Sequence, residues 1–277
     1  MIYQKWVAAP QAKRSASLAV FAAMALGASS AYATPVTMEN WTVENWSSGA
    51  GTWNLQSDDT EVKQTVNGDP TVFLSDQSAI GTDIEGTIEV QTSGDDDYVG
   101  FVLGFNSGDW SNPDADFLLI DWKRLDQAFS FDGTTTSAEE GLAVSQIQGA
   151  VNRDELWGHQ DLAGTDGSVT ELARGAELGD TGWTAFASNV FRFVFTNSKL
   201  QVFVDDELEI DISGQFGAGN LGFYNFSQAN VLYSTFTQVE LPPEPGEGEE
   251  PTEVPEPGTL ALLGAGLLGF GLRRRKA

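Results

Sequence analysis

The sequence has 277 residues, with 14 lysines and arginines against 40 aspartates and glutamates and a formal net charge of −26. So negative a chain does not suit nucleic-acid binding, because nucleic-acid-binding proteins present basic surfaces to the phosphates. The absence of cysteine excludes disulfides, zinc–thiolate sites and thiol catalysis, and a single histidine excludes multi-histidine metal centres. Hydrophobic residues make up 41% of the chain and aromatic residues 11%, which indicates a packed core, and 30 glycines favour β structure with many turns.

Residues 1–33 have the pattern of a secretory signal peptide. Basic residues precede a short apolar run at 18–28, and Ala31-Tyr32-Ala33 provides the small residues of a cleavage site. We expect cleavage after Ala33 and a mature chain that begins at Thr34. A retained membrane helix is the alternative, but the apolar run is shorter than the ~20 residues that a membrane span needs.

The C-terminus has two consecutive parts. Residues 241–253 form a linker rich in proline, glutamate and glycine, which cannot bury much apolar surface. Residues 254–277 begin with the triplet Pro255-Glu256-Pro257, continue with apolar residues and glycine, and end in the basic cluster Arg273–Lys276. A basic cluster after an apolar segment stays in the cytoplasm, so this order places the body of the chain outside the membrane. The apolar part, 258–272, is short for a stable span, as expected for a transient anchor.

This combination of triplet, apolar segment and basic cluster resembles the PEP-CTERM sorting signal of Gram-negative bacteria. The resemblance implies processing near Pro255-Glu256-Pro257 by an exosortase, an integral-membrane transpeptidase-like enzyme, and transient anchoring in the inner membrane. It also implies association with exopolysaccharide and biofilm matrix. An ordinary C-terminal membrane anchor is the alternative interpretation.

The body of the chain, residues 34–240, is patterned as a series of β-strands without an internal repeat. Residues 83–91 alternate between apolar and polar side chains, which indicates a strand with one buried face. Residues 98–105 and 116–123 are largely apolar throughout, which indicates central strands. Further strands are predicted where apolar or alternating runs are separated by polar turns, at 191–195, 200–204, 208–212, 220–226 and 231–239. The sequence therefore predicts an all-β fold, an antiparallel β-sandwich.

Several segments of this body match one family in order and spacing: Val66–Pro70, Thr82–Gly86, Asp95–Phe105, Ile120–Lys123, Leu156–His159, Thr181–Trp183 and Gly219–Gln228. Together they resemble the C-terminal domain of thrombospondins over residues 60–236. The resemblance implies a lectin-like jelly-roll sandwich of the concanavalin A type, bound calcium, and a role in extracellular adhesion and matrix assembly. The sequence departs from the family at 106–116 and 162–168, which are longer, and it lacks the calcium-binding repeats that precede this domain in thrombospondins.

The candidate calcium ligands are aspartates in three of the matching segments: Asp69, Asp83, Asp95, Asp96 and Asp97. Calcium takes several oxygen ligands, mostly carboxylates and carbonyls at turns, and Asp95–Asp97 places three carboxylates where an apolar strand begins. A bound cation would relieve the repulsion between these adjacent charges. Spacing alone favours a solvated acidic turn, whereas the resemblance to the thrombospondin domain favours calcium.

A second acidic loop comprises Asp109, Asn112, Asp114 and Asp116. The last three residues have the spacing with which an EF-hand loop begins. However, Phe117 stands where such a loop needs glycine, and Lys123 stands where it needs a glutamate. A solvated loop is the favoured interpretation, and calcium binding in another geometry stays open.

Catalytic alternatives have weaker support in the sequence. Lectin-like sandwiches also include glucanases, whose signature Glu-x-Asp-x-x-Glu begins here with Glu209 and Asp211 and then lacks the third carboxylate. His159 is the single histidine, and no Gly-x-Ser-x-Gly elbow accompanies it, so we expect a structural role for it. Trp110, which has polar neighbours, is the tryptophan most expected to be exposed for stacking on a sugar.

The sequence thus predicts an exported, non-enzymatic, calcium-binding lectin-like protein of the cell surface or the biofilm matrix, which binds glycans or matrix proteins for adhesion. Two other hypotheses stay open. One is a secreted glycoside hydrolase that uses Glu209 and Asp211, and the other is a structural matrix protein without a specific ligand.

Overall fold

The computed structural model describes residues 35–242. The predictions for the signal peptide with Ala33 and for the segment with Pro255, Glu256 and Pro257 therefore lie outside the described residues. Between residues 35 and 242, no helix is long and apolar enough to cross a membrane. This part of the chain contains one α-helix, α1 (Arg153–Gly158), and sixteen β-strands: β1 (Thr42–Asn45), β2 (Trp53–Leu55), β3 (Val62–Gln64), β4 (Thr71–Ser78), β5 (Thr82–Val90), β6 (Tyr98–Phe105), β7 (Asp116–Lys123), β8 (Gln127–Phe129), β9 (Thr136–Ala138), β10 (Gly141–Gln148), β11 (Ser168–Arg174), β12 (Ser188–Phe195), β13 (Lys199–Val204), β14 (Glu207–Ser213), β15 (Asn220–Phe226) and β16 (Val231–Glu240).

Two seven-stranded sheets make up the sandwich. Sheet I has the order β1-β4-β15-β6-β7-β10-β11, sheet II has the order β14-β13-β12-β5-β16-β3-β2, and β8 pairs with β9 in a separate hairpin. The paired strands are antiparallel throughout both sheets. The predicted all-β sandwich is therefore confirmed, and the eight strands expected from the sequence correspond to β5, β6, β7 and β12 to β16.

Sheet I is covered on both of its faces. In β6, Val99, Phe101 and Leu103 belong to the main core between the sheets, whereas Tyr98 and Phe105 belong to a second apolar cluster on the outer face. Residues of α1 and β9 contribute to that second cluster. A strand between two apolar layers has no solvent-facing side, which explains why the sequence of β6 is apolar without alternation.

The outer layer is fixed by buried acidic residues of α1. The helix starts with a capping box, in which the Asn152 side chain accepts from the Glu155 N–H at 2.9 Å and the Glu155 side chain accepts from the Asn152 N–H at 2.8 Å. The buried Asp154 carboxylate accepts backbone N–H groups from the connection between β8 and β9, at Phe131, Asp132 and Thr134. These bonds tie the hairpin connection to the helix.

The sandwich has two ends, which the pairing of β5 with β16 defines. Val90 lies opposite Val231 at one end, and Thr82 lies opposite Glu240 at the other. We call the first the Asp-turn end, because it carries the loop 91–97. We call the second the exit end, because the chain leaves the sheet there after Glu240. The nine residues of β5 separate the two ends by roughly 26 Å.

Phe101 tests the core between the sheets. It is fully buried, with the rings of Phe193, Phe191 and Phe223 at centroid distances of 4.7, 5.3 and 5.8 Å. Phe101→Ala should lower the free energy of unfolding by about 3–5 kcal/mol, because it leaves a cavity at the centre of the sandwich. Urea denaturation measures this loss. Phe129→Ala, at a side chain that is 47% exposed, is the control and should cost less than about 1 kcal/mol. Equal losses in the two variants would contradict this placement of the core.

Candidate functional site

Three carboxylates lie together in the loop between β5 and β6. Asp95, Asp96 and Asp97 each present one oxygen atom, and these atoms lie within 4.8 Å of one another. Asp95 and Asp96 are half-buried, and Asp97 is buried. Clustered carboxylate oxygens are the donors that calcium takes, so the chemistry of this set fits a hard divalent cation.

A buried ammonium group neutralises part of this cluster. Lys123 Nζ lies 2.8 Å from Asp97 Oδ1 and 3.3 Å from Asp96 Oδ1, and its side chain has 0% exposure to solvent. The rings of Trp157 and Tyr98, whose centroids lie 5.0 and 5.8 Å from Nζ, add cation–π attraction. Asp97 is thus the main partner of Lys123. The half-buried Asp95 and Asp96 are the carboxylates that remain for a metal ion.

The electrostatics of the turn favour additional positive charge. Burial raises the pKa of Asp97 to about 6, although the hydrogen bond and charge of Lys123 oppose that rise, and the negative charge of Asp95 adds to it. A cation beside a carboxylate favours the ionised form. A metal ion at Asp95 and Asp96 would therefore offset the repulsion that Lys123 leaves uncompensated.

Neighbouring loops hold the turn in position. The Asn67 side-chain amide donates to the Asp95 carboxylate, and Trp183 Nε1 donates to the Asp97 carbonyl oxygen at 2.9 Å. Arg124 Nη1 donates to the Asp95 carbonyl oxygen at 3.2 Å, and its guanidinium carbon lies 5.3 Å from the Trp183 ring centroid. The backbone of the turn is therefore fixed before any ion binds.

Asp69 and Asp83 are not brought to this cluster. The Asp69 carboxylate lies 2.7 Å from Arg153 Nη1, although its loop does approach the turn through Asn67. Asp83 binds Arg192 through both oxygens, at 2.8 and 2.6 Å. Asp83 lies near the start of β5, at the exit end, whereas the acidic turn follows the end of that strand. The prediction that Asp69 and Asp83 join Asp95–Asp97 in one cluster of carboxylates is therefore wrong.

Trp110 is not the exposed platform that its polar neighbours suggested. It is half-buried in the outer apolar cluster, where the rings of Phe105 and Trp46 lie at centroid distances of 5.1 and 5.4 Å. Its Nε1 donates to the Glu44 carbonyl oxygen at 3.1 Å. Sequence neighbours describe the loop, but the ring turns inward because the outer face of sheet I is apolar.

The second acidic loop uses its polar groups to stabilise itself. Asp109 is 2% exposed and accepts the Asn106 N–H at 2.7 Å and the Asn112 side-chain amide at 2.9 Å. Asp116 accepts from the Gln146 side chain at 2.7 Å. These contacts engage Asp109 and Asp116, whereas Asp114 is exposed, and a solvated loop stays the favoured interpretation.

The two carboxylates of the glucanase hypothesis have structural partners. Glu209 is buried and accepts the backbone N–H groups of Glu177 and Leu178 at 2.9 and 3.1 Å. Asp211 lies 3.1 Å from Lys199 Nζ. A retaining glycosidase needs one carboxylate free to attack and one carboxylic acid able to donate a proton. Here one oxygen of Glu209 is held by two backbone N–H groups, and Asp211 is paired with a lysine.

His159 joins a buried ion network on the outer face of sheet I. Its Nε2 lies 3.1 Å from the Asp121 carboxylate and its Nδ1 lies 3.2 Å from Glu171 Oε2, and Glu171 also binds Arg174 at 2.9 Å. Burial alone would lower the pKa of His159, but the charges and hydrogen bonds of Asp121 and Glu171 raise it to about 9. The histidine is thus a structural cation that links the end of α1 to β7 and β11.

These features define a class of protein: an all-β sandwich domain whose acidic turn is suited to a cation and is paired on its buried side with a lysine. Residues 48–239 match the thrombospondin C-terminal region, and the chain belongs to that family. Residues 253–276 match the PEP-CTERM protein-sorting motif. Both resemblances noted in the sequence are therefore confirmed.

Curated relatives share this domain within much longer proteins. Thrombospondin-3b of Danio rerio is 29% identical over 198 residues, which cover 66% of this chain and 20% of the relative. Cartilage oligomeric matrix protein of Homo sapiens is 25% identical over 198 residues, which cover 66% of this chain and 24% of the relative. The chain thus spans only a fifth to a quarter of the length of these relatives.

Two solved structures are similar to part of this chain. The carbohydrate-binding module CBM66 from Bacillus subtilis gives a TM-score of 0.46 at 14% identity and covers 72% of this chain and 94% of its own. The VIP36 exoplasmic/lumenal domain in its Ca2+/Man-bound form gives a TM-score of 0.45 at 14% identity and covers 74% and 85% of the respective chains.

Lys123→Met should destabilise the protein by about 3–5 kcal/mol, because it leaves the buried Asp97 without its cationic partner. Chemical denaturation at pH 7 measures this loss. The double variant Lys123→Met, Asp97→Asn should recover much of the stability, since no uncompensated charge then stays buried. Equal stability of the single variant and the wild type would show that the pair is not formed.

The buried histidine predicts a loss of stability at alkaline pH. The pKa of folded His159 is about 9, above its ordinary value of 6.5. The stabilisation is therefore complete below pH 6.5 and is lost as the pH rises through 9. Burial raises the pKa of the neighbouring Tyr98 well above 10, so Tyr98 stays neutral in this range. Thermal melts from pH 6 to 10 should show a fall in Tm that is smaller in His159→Gln. Parallel curves for the two proteins would contradict the charged network.

Proposed function

We propose that this chain is an exported, non-enzymatic, calcium-binding lectin-like protein that binds glycans or matrix proteins at the cell surface or in the exopolysaccharide matrix. One observation carries the proposal: a thrombospondin C-terminal domain over residues 48–239 is followed by a protein-sorting motif at 253–276. The sandwich supplies the binding module, and the sorting motif supplies the route by which the module leaves the cell.

Asp95 and Asp96 would hold the calcium ion, with Asn67 beside them, while Asp97 stays paired with Lys123. A bound calcium ion supplies the positive charge that adjacent carboxylates lack. The turn connects β5 of sheet II to β6 of sheet I, so an ion bound there would stabilise the junction between the two sheets. Calcium would act on the fold and on the shape of the Asp-turn end, with no role in bond cleavage.

Export would proceed in two steps that the terminal segments direct. The N-terminal segment would direct secretion with cleavage after Ala33. The C-terminal motif would anchor the chain transiently in the inner membrane until an exosortase acts near Pro255-Glu256-Pro257. The folded body would then reach the cell surface or the matrix, where its ligand is a glycan or a matrix protein.

Non-enzymatic binding is the function that the side-chain contacts favour. The buried Glu209 is committed to backbone N–H groups, and Asp211 is paired with Lys199. Neither residue offers the free nucleophile of a glycosidase. A ligand-free structural role differs from the proposal in one outcome: such a protein would bind neither a glycan nor a matrix protein, whether calcium is present or not.

Calcium should raise the thermal stability of the full-length protein and support its binding to polysaccharide. An ion that binds only the folded state adds about 2.7 kcal/mol at a concentration of 100 times Kd. We therefore expect a higher Tm in calcium than in EDTA, and retention on immobilised exopolysaccharide in calcium alone. Differential scanning calorimetry and a solid-phase binding assay measure the two effects.

The matched variants locate the ion. Asp95→Asn combined with Asp96→Asn should abolish the calcium-dependent rise in Tm. Asp114→Asn, which removes an exposed carboxylate from the second acidic loop, should leave the rise unchanged. A rise that persists in the double variant would place calcium elsewhere. No rise in the wild type would reject the calcium proposal.

A further inference from the structure

The most exposed aromatic side chain between residues 35 and 242 lies at the Asp-turn end. Phe186 is 64% exposed, and Leu125 at the same end is 47% exposed. The Phe186 N–H donates to the carbonyl oxygen of Val90, the last residue of β5, at 2.8 Å. Leu125 follows Lys123, the last residue of β7, by two positions. The Phe186 backbone thus binds the residue that precedes the loop 91–97, and Leu125 lies beside residues 93–96 of that loop.

The backbone of Phe186 is unfavourable for a bulky residue. Its φ is 64°, in the left-handed region that glycine and asparagine adopt most easily. Such a conformation costs about 1–3 kcal/mol for a side chain of this kind. Little burial of the ring offsets that cost, because Phe186 is mostly exposed. Folding alone therefore does not explain an aromatic residue at this position.

Leu125 lines a shallow cleft at this end. Its volume is about 310 Å³, and it is lined by Ser93, Gly94, Asp95, Asp96, Arg124 and Leu125. This volume is at the lower limit of small-ligand sites. The segment 181–187 links the cleft to the end of β5. Trp183 packs on Arg124, which lines the cleft, and the Phe186 N–H binds the carbonyl oxygen of Val90. The Asp-turn end thus combines hydroxyl and carboxylate groups with apolar contacts.

The position of the C-terminal exit indicates which end of the sandwich would face away from an anchored C-terminus. The last pairing of the sandwich joins Glu240 to Thr82 at the exit end, and the sorting motif follows at 253–276. A chain held through its C-terminus is therefore held by the exit end. The Asp-turn end, roughly 26 Å away along β5, is the end that would meet ligands outside the cell.

We propose that the Asp-turn end is a saccharide-binding face, on which Phe186 and Leu125 contact the apolar side of a sugar ring and Ser93 and Asp96 bond its hydroxyl groups. The sugar is a neutral one. A calcium ion at Asp95 and Asp96 would balance the two carboxylates that line the cleft, and the single guanidinium there, that of Arg124, already donates to the carbonyl oxygens of Ser93 and Asp95, so no cation in the cleft is left for a uronic acid. This inference rests on the proposed glycan-binding function and adds the location and the charge class of the ligand.

The test uses the full-length protein on an array of neutral gluco- and manno-oligosaccharides and acidic uronic-acid oligosaccharides, with calcium present. We expect binding to neutral members. Phe186→Gly and Leu125→Ser should each weaken that binding roughly tenfold, about 1.4 kcal/mol. Phe186→Gly should also leave Tm unchanged or raised, because glycine adopts a positive φ without strain. Leu55→Ser, at a 37% exposed leucine on edge strand β2, is the matched control and should bind as the wild type does.

The outcomes separate the site from the function. Neutral-glycan binding that survives in the double variant Phe186→Gly, Leu125→Ser would overturn the site and leave the glycan-binding function standing. Binding restricted to uronic-acid oligosaccharides would overturn the charge class. Absence of any glycan binding by the wild type would reject the glycan-binding function and this inference with it. A large fall in Tm for Phe186→Gly would show that the ring is structural.

Discussion

The burial of one ammonium group, that of Lys123, is the constraint on which the Asp-turn end depends. Its Nζ bonds Asp96 and Asp97 in the turn and Gln127 Oε1 in β8 at 3.3 Å, and it faces the ring of Trp157 in α1. Removing an ammonium from water costs several kcal/mol, so every one of these partners is needed to hold it. The acidic turn, the β8–β9 hairpin and α1 therefore depend on one another, because each supplies a partner for the same ammonium group. A turn held in this way presents its remaining carboxylates in a fixed geometry.

Many strands of the sandwich could be predicted from their own pattern of apolar and polar residues. In β5, alternation shows a strand between the core and solvent, and in β6 and β7 unbroken apolar runs show central strands. The strands β4 and β10 were not predicted, although both lie inside sheet I. Part of each strand is buried on both faces because of the outer layer, and that layer is built from distant segments. The short strands β1, β2 and β3 offer too few positions for any period to appear.

The acidic turn was predictable because its three carboxylates are adjacent in sequence, but their partners were not. Lys123 is 26 positions from Asp97, and Arg192 is 109 positions from Asp83. No local pattern joins residues so far apart, and only the strand register decides which acidic side chain receives which cation. A lone lysine at the end of a buried strand was the one available signal for Lys123, since an unpaired ammonium would not be tolerated there. The same limit applies to Trp110, whose orientation follows from the outer apolar cluster.

The charge of the chain connects the turn to the kind of ligand it admits. Residues 34–252 contain seven basic and 38 acidic residues, a net charge of −31 (7 − 38). Five of the seven basic residues already have acidic partners within residues 35–242: Lys123, Arg153, Arg174, Arg192 and Lys199. Most carboxylates therefore lack a cationic partner from the protein itself. The resulting field concentrates cations and repels anions at the surface. A turn that gathers three carboxylates would draw calcium from that field, and a cleft beside it would favour a sugar that carries no negative charge.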